Sequence, residues 1–71
     1  MKKGEIGQFI VARRKSLGVS QGALARICDI SVHALCNLER GMGNPTFDLM
    51  ENVLDALGLE FRLQPKNMEK A

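Results

Sequence analysis

Two short helices that follow one another almost without a linker are the feature that most constrains this chain. Residues 20–41 read SQGALARICDISVHALCNLERG. Ser20 and Ser31 are typical helix N-caps, because a serine hydroxyl accepts a hydrogen bond from a free N–H of the first turn. Gly41 is a typical helix end. Only Asp29 and its neighbour remain between the helices, which predicts a tight turn in which aspartate tolerates a positive φ.

Two further helices flank this pair. Apolar residues recur every three to four positions through residues 5–17, which predicts an amphipathic helix that ends at Gly18. Another helix is predicted between Thr46, its N-cap, and Gly58, where it ends. The residues expected in the core are Leu24, Ile27, Cys28, Leu35, Leu38, Phe47, Met50, Val53, Leu54 and Leu57.

After Gly58 the pattern changes from helical to alternating. Residues 59–64 read LEFRLQ and end before Pro65, which predicts a short, half-buried strand. A single strand leaves its backbone groups unpaired, and the chain offers no second strand, so the strand is expected to pair with its own copy in a homodimer. The predicted dimer interface consists of Val53, Leu57, Leu59, Phe61 and Leu63.

The predicted architecture is therefore all-α: four helices with a helix-turn-helix, plus one C-terminal β-strand that pairs across a homodimer. The chain has 71 residues, enough for one core only, so residues 1–64 are expected to form one domain and residues 65–71 a flexible tail. A core this small contributes only about 3–5 kcal/mol, which also favours oligomerisation.

Charge and cysteine content restrict the function classes. Residues 1–40 carry seven basic and three acidic side chains, whereas residues 41–71 carry three basic and five acidic ones, so the first half is the candidate to meet a polyanion. No apolar run reaches the length of a membrane span, and Cys28 and Cys36 form neither a CxxC motif nor a disulfide framework. These features predict a cytoplasmic protein without a membrane partner.

The central part of the chain resembles a known family. The stretch ARRKSLGVSQGALARICDISVHALCNLERGMGNPT resembles the DNA-binding domain of the phage-repressor and Cro-like (XRE-type) helix-turn-helix family. The shared landmarks are SQ at the start of the second helix, LA within it, S at the start of the third and LERG at its end. The stretches RRKSLG and LDALGLEFRL are similar to one branch, the HipB-like antitoxins, in which the last strand joins its copy across a dimer.

The resemblance also implies roles for individual residues. With Leu35 and Leu38 directed to the core, the opposite side of the third helix matches positions that face the major groove or the flanking phosphates. Arg14 and Glu39 match a pair that forms a structural salt bridge in the family. The residues expected to contact DNA are Gln21, Ser31, Val32, His33, Cys36, Asn37 and Asn44.

Some of these assignments have simpler alternatives. Gln21 could be an ordinary exposed first-turn residue instead of a phosphate ligand, and Asn44 could serve only to form the turn GNP. Val32 suits a thymine methyl, while His33 can donate to guanine and Asn37 can pair with adenine. Because this set lacks arginine, we expect modest discrimination per base and a contribution from DNA shape.

The function expected from the residues and the resemblance is a sequence-specific transcriptional repressor without cofactor or metal. By resemblance it is the HipB-like antitoxin of a toxin–antitoxin pair, which represses its own operon and binds a HipA-like kinase toxin. The alternatives are a stand-alone XRE-type regulator without a toxin and a protein-interaction adaptor. No enzymatic site is expected. Cys28, His33 and Cys36 make a poor zinc ligand set because they are scattered over two helices without a CxxC motif.

Overall fold

Four helices make up the regular structure of residues 2–65. The computed structural model describes residues 2–65, and the predicted tail lies outside the described residues except for Pro65. The helices are α1 (Lys3–Ser16), α2 (Gln21–Cys28), α3 (Val32–Glu39) and α4 (Phe47–Ala56). Their number, order and approximate bounds confirm the all-α, helix-turn-helix part of the prediction.

Side chains close to the helix starts satisfy the free N–H groups there. Ser20, Ser31 and Thr46 each accept a hydrogen bond from the N–H three residues later, at 3.0–3.1 Å, which confirms the three predicted caps. The start of α1 is closed in a different way, since the Glu5 carboxylate accepts a hydrogen bond from the Lys2 backbone N–H at 3.0 Å.

All four helices end in the same hydrogen-bonded motif. Gly18, Asp29, Gly41 and Gly58 have positive φ, and the N–H of each following residue bonds to the carbonyl five positions earlier at 2.8–3.0 Å. The predicted turn between α2 and α3 is confirmed: Asp29 has φ 58°. The link between α2 and α3 can be short because Asp29, although not a glycine, adopts the left-handed conformation.

Within residues 2–65 the core contains nine buried apolar residues, eight in the four helices and one directly after α4. α3 packs against α1 and α2, and α2 also packs against α4. The buried residues are Ile10, Leu24, Ala25, Cys28, Leu35, Leu38, Val53, Leu54 and Leu57.

Two residues predicted to lie in this core do not. Ile27 is 67% exposed, and Ala25 is buried in its place. The buried arc of α2 runs through residues 24, 25 and 28, and position 27 lies about 100° from its centre. Phe47, in the first turn of α4, is also exposed and stacks on Phe61 with the ring centroids 5.4 Å apart.

The contact between α1 and α3 is unusually close. A Cβ atom on Gly7 would overlap the backbone carbonyl of Glu39, and one on Gly41 would lie 2.8 Å from the Cα and N atoms of Gly4. Glycine is required at these places because backbone touches backbone. The first half of α1 therefore packs directly against the C-terminal end of α3.

Residues 59–65 have no regular secondary structure, and no strand is present in residues 2–65. Leu59 and Phe61 pack against the core, whereas Leu63 is 97% exposed. Val53 and Leu57, predicted to contact a second subunit, are fully buried in the core of their own chain and cannot present a surface to a partner. The predicted pairing of the strand with a second copy stays a prediction.

None of the helices in residues 2–65 combines the length and the apolar character that a membrane span requires.

Candidate nucleic-acid interface

One side of α3 is turned away from the core. Leu35 and Leu38 are buried, while Val32 is 49% exposed and His33 is also exposed. Cys36 and Asn37, one turn further along, are partly exposed. We call these four residues, Val32, His33, Cys36 and Asn37, the outer face of α3.

The two polar side chains of the outer face are held together. The Asn37 amide nitrogen donates to Nε2 of His33 at 3.3 Å, across one helical turn. Because an amide nitrogen only donates, this contact is a hydrogen bond when the ring proton of His33 is on Nδ1. The outer face therefore presents an apolar valine, a thiol, and two polar side chains that are hydrogen-bonded to each other.

The outer face contains no exposed carboxylate. The one acidic residue of α3 is Glu39, which is 8% exposed and engaged in an ion pair. Arg40 is exposed directly after α3, and Lys2 and Lys3 are exposed at the start of α1, which is packed against that end of α3. Two exposed carboxylates lie near these basic residues, Glu5 in the first turn of α1 and Asp29 in the turn before α3, so the attraction of this region to a polyanion is partly offset.

The Arg14–Glu39 ion pair joins α1 to the end of α3. Arg14 Nε lies 2.7 Å from Glu39 Oε2, and Arg14 Nη2 donates to Oε1 at 3.1 Å. A third bond runs from Arg14 Nη1 to the Val19 carbonyl at 3.0 Å. The side chains are 11% and 4% exposed, so this two-point pair is shielded from water. It fixes the orientation of α3 against α1.

Gln21 belongs to the same hydrogen-bond network. Its amide nitrogen donates to Glu39 Oε1 at 2.8 Å, which ties the first residue of α2 to the last residue of α3. The sequence predicted that Gln21 holds a DNA phosphate. The structure places one of the two side-chain N–H groups on a carboxylate and leaves the other for a phosphate, so the phosphate role stays a prediction.

Ser31 and Asn44 also make contacts within the chain. The Ser31 hydroxyl oxygen caps α3 by accepting from the Ala34 N–H, and its own O–H is left as a donor at the start of that helix. The Asn44 side-chain oxygen accepts a bond from Lys3 Nζ at 3.2 Å. Lys3 also donates to the Gly43 carbonyl at 2.6 Å.

Lys3 and Arg13 make contacts that the sequence did not predict; Arg13 was expected to be either solvated or phosphate-facing. Arg13 Nε donates to the Leu57 carbonyl at 2.9 Å, so its positive charge lies at the negative end of α4. Both residues contact partners at least 40 positions away, and no local pattern indicates such partners.

Two observations bear on metal binding and on thiol chemistry. Within residues 2–65, no group of three or more His, Cys, Asp or Glu side chains is arranged to hold a metal ion. Burial raises the pKa of the Cys28 thiol above its ordinary value, which disfavours the reactive thiolate. Cys28 instead lies beside Asn52, whose amide donates to the Cys28 carbonyl at 2.8 Å.

Comparison with known proteins agrees with this geometry. A family model described as helix-turn-helix matches residues 10–64. Among solved structures, the chain is similar to the clp gene regulator ClgR from Corynebacterium glutamicum, with a TM-score of 0.76 and 29% sequence identity over 82% of this chain. The match covers 62% of the regulator's chain. No curated protein matches the chain.

The helix-turn-helix match contains α2, the turn at Asp29 and α3 in full. The chain belongs to the helix-turn-helix family, in the phage-repressor and Cro-like class of DNA-binding domains.

Proposed function

We propose that this protein is a sequence-specific transcriptional repressor that inserts the outer face of α3 into the major groove of DNA. The observation that carries the proposal is the outer face itself: Val32 and His33 are exposed and Cys36 and Asn37 partly exposed. The other side of α3 is held by the core and by the Arg14–Glu39 pair. The similarity to a solved gene regulator supports the same reading.

The outer face offers different chemistry to different bases. Val32 gives only apolar contact, which favours a thymine methyl. Asn37 keeps its side-chain oxygen and a second amide N–H for adenine, and His33 can donate to guanine through Nδ1, while their mutual hydrogen bond stays in place. Because the outer face lacks arginine, we expect modest discrimination per base and a preference for particular DNA shapes.

Phosphate contacts would come from the surroundings of this face. The Ser31 hydroxyl, the remaining amide N–H of Gln21 and the Asn44 amide are the candidate donors at its edges. These contacts are few and the net charge is only +2. The affinity for DNA should nevertheless fall as the salt concentration rises, because each neutralised phosphate releases counterions.

The repressor is proposed to act as a homodimer through its C-terminal segment. An open groove of about 580 Å³ runs between α1 and this segment, lined by Ile6, Phe9, Leu59, Phe61 and Leu63 among others. Phe9 and Leu63 are large, apolar and exposed, which is costly in a free monomer. A second copy that pairs its residues 59–64 with these would satisfy the backbone groups and cover the groove.

A matched pair of substitutions tests the dimer. Leu63→Glu should shift the protein to monomer in sedimentation equilibrium and weaken operator binding, because two half-sites would no longer be bound together. Leu17→Glu introduces the same charge at an exposed leucine that does not line the groove, and should leave the dimer intact. A wild-type protein that is monomeric at all concentrations would rule out this arrangement.

Cysteine labelling tests the DNA-binding face. Cys36 is partly exposed and Cys28 is buried, so in the native protein iodoacetamide should label Cys36. A bound duplex selected from a random pool should protect Cys36, and half-sites should recur about one helical turn apart or a multiple of it. Unchanged labelling in the saturated complex would show that α3 does not face DNA.

We also propose that the repressor is an antitoxin. The stretches RRKSLG and LDALGLEFRL, which are similar to HipB-like antitoxins, support this proposal. In that case the protein also binds a HipA-like kinase toxin. A stand-alone regulator would make the same DNA contacts without such a partner. Expression together with the neighbouring genes, followed by affinity purification, separates the two, and a protein that selects no duplex would favour the adaptor alternative.

A further inference from the structure

The first turn of α1 holds the loop that follows α3. Lys3 Nζ donates to the Gly43 carbonyl at 2.6 Å and to the Asn44 side-chain oxygen at 3.2 Å. These partners lie 40 and 41 positions away in the sequence. The lysine therefore connects the start of the domain to residues 40–46, the α3–α4 loop.

Two further contacts fix the same loop. Gly41 packs so closely on Gly4 that an added Cβ would lie 2.8 Å from its backbone. The Met42 N–H bonds to the Asn37 carbonyl at 2.9 Å, so the loop begins directly at the outer face of α3. The loop is thus held between α1 and the residue proposed to read DNA bases.

The hydrogen bond to Lys3 also decides which part of Asn44 is available. A carboxamide has one oxygen and one NH₂ group. Because the ammonium of Lys3 occupies the oxygen, the NH₂ group of Asn44 remains to donate to a ligand. A DNA phosphate beside the groove is an acceptor of the required kind.

We propose that Lys3 is a positioning residue for DNA binding: it holds the α3–α4 loop and turns the Asn44 amide N–H toward a phosphate next to the outer face of α3. This inference rests on the proposed function. Lys3 acts through Asn44 and does not itself neutralise a phosphate.

A double-mutant cycle tests the role of Lys3, using a duplex that the wild-type protein selects from a random pool. Lys3→Met and Asn44→Ala should each weaken binding about three- to tenfold, the range for one lost hydrogen bond. The double variant should bind no more weakly than Asn44→Ala alone, because the two side chains act as one unit. Lys3→Arg keeps the donor and should restore most of the affinity.

Lys15→Met is the matched control, since it removes the same charge from the same helix about 18 Å away. It should have little effect on affinity. In Lys3→Met the slope of log K against log salt should stay at the wild-type value, whereas a direct phosphate contact would reduce it by about 1.

Several outcomes would overturn the proposal. These are independent, multiplying losses in the double variant, a reduced salt slope in Lys3→Met, or equal effects of Lys3→Met and Lys15→Met. If Lys3→Met lowered the thermal stability and left the affinity for DNA unchanged, Lys3 would have a structural role only. A wild-type protein that selects no duplex would instead refute the proposed DNA-binding function, and with it this inference.

Discussion

Gly7 of α1 lies against the backbone of Glu39, so close that a methyl group on Gly7 would overlap the Glu39 carbonyl. Seven residues later, two helical turns along the same side of α1, Arg14 forms its two-point ion pair with the Glu39 side chain. One residue at the end of α3 therefore receives both the closest backbone contact and the best-shielded ion pair of α1. The outer face of α3 is oriented from behind by these two contacts.

Gly7→Ala should destabilise the protein although alanine favours helix. The added methyl group forces α1 and α3 apart, and overpacking of this kind costs about 1–3 kcal/mol. Thermal unfolding followed by circular dichroism measures the effect. Gly22→Ala is the control, because nothing lies within 4 Å of a Cβ there, and it should stabilise α2 by up to about 1 kcal/mol. Equal effects of the two substitutions would contradict the close contact.

Glu39→Ala should be the most damaging single substitution among the polar residues. It leaves Arg14 buried without its partner and removes the acceptor of Gln21, and breaking a shielded pair in this way costs about 3–5 kcal/mol. A loss of that size approaches the whole stability of a small domain.

The control for Glu39→Ala is Glu60→Ala. Glu60 forms an ion pair of similar length, 2.8 Å, with Arg62, but these side chains are 66% and 85% exposed. Removal of the exposed pair should change the free energy of unfolding by less than about 1 kcal/mol. If Glu39→Ala melted at the wild-type temperature, the stabilising role of the pair would be refuted.

Asp29→Gly should raise the melting temperature. Asp29 is the one non-glycine residue with positive φ in residues 2–65, and an L side chain in that conformation costs about 1 kcal/mol. The gain is reduced by the extra freedom of glycine in the unfolded chain, so a few tenths of a kcal/mol to about 1 kcal/mol is expected. Asp29→Ala should have the opposite effect, because alanine tolerates this conformation less well than aspartate. A lower melting temperature for Asp29→Gly would indicate that the aspartate side chain stabilises the turn.

The two thiols should differ in reactivity and in their influence on stability. Burial raises the pKa of Cys28, so the folded protein favours its protonated form. Its contribution to stability is complete below the unfolded-state pKa and is lost as the pH rises through the higher folded-state pKa. A Cys36→Ser variant, which retains only Cys28, should therefore resist alkylation until it unfolds and should lose stability at alkaline pH. Rapid alkylation of this variant at neutral pH would contradict the burial of Cys28.

Much of the DNA-binding unit follows from local sequence. The helices are predicted by features that act within one or two helical turns: the serine and threonine caps and the residues with positive φ. The apolar pair Leu35 and Leu38 likewise predicts which side of α3 is buried and which is not. That same locality explains two errors. Ile27 and Phe47 fit an apolar pattern, but the angular width of the buried arc depends on which helices pack against it.

The sequence by itself determined where the helices begin and end, because caps and turn residues satisfy backbone groups a few positions away. Only the tertiary structure decided which long side chains meet across the fold. Lys3 with the α3–α4 loop, Arg13 with the end of α4, and Gln21 with Glu39 are separated by 18 to 44 positions. Flexible polar side chains have many possible partners in the sequence, and the packing of the helices brings one of them within hydrogen-bonding distance.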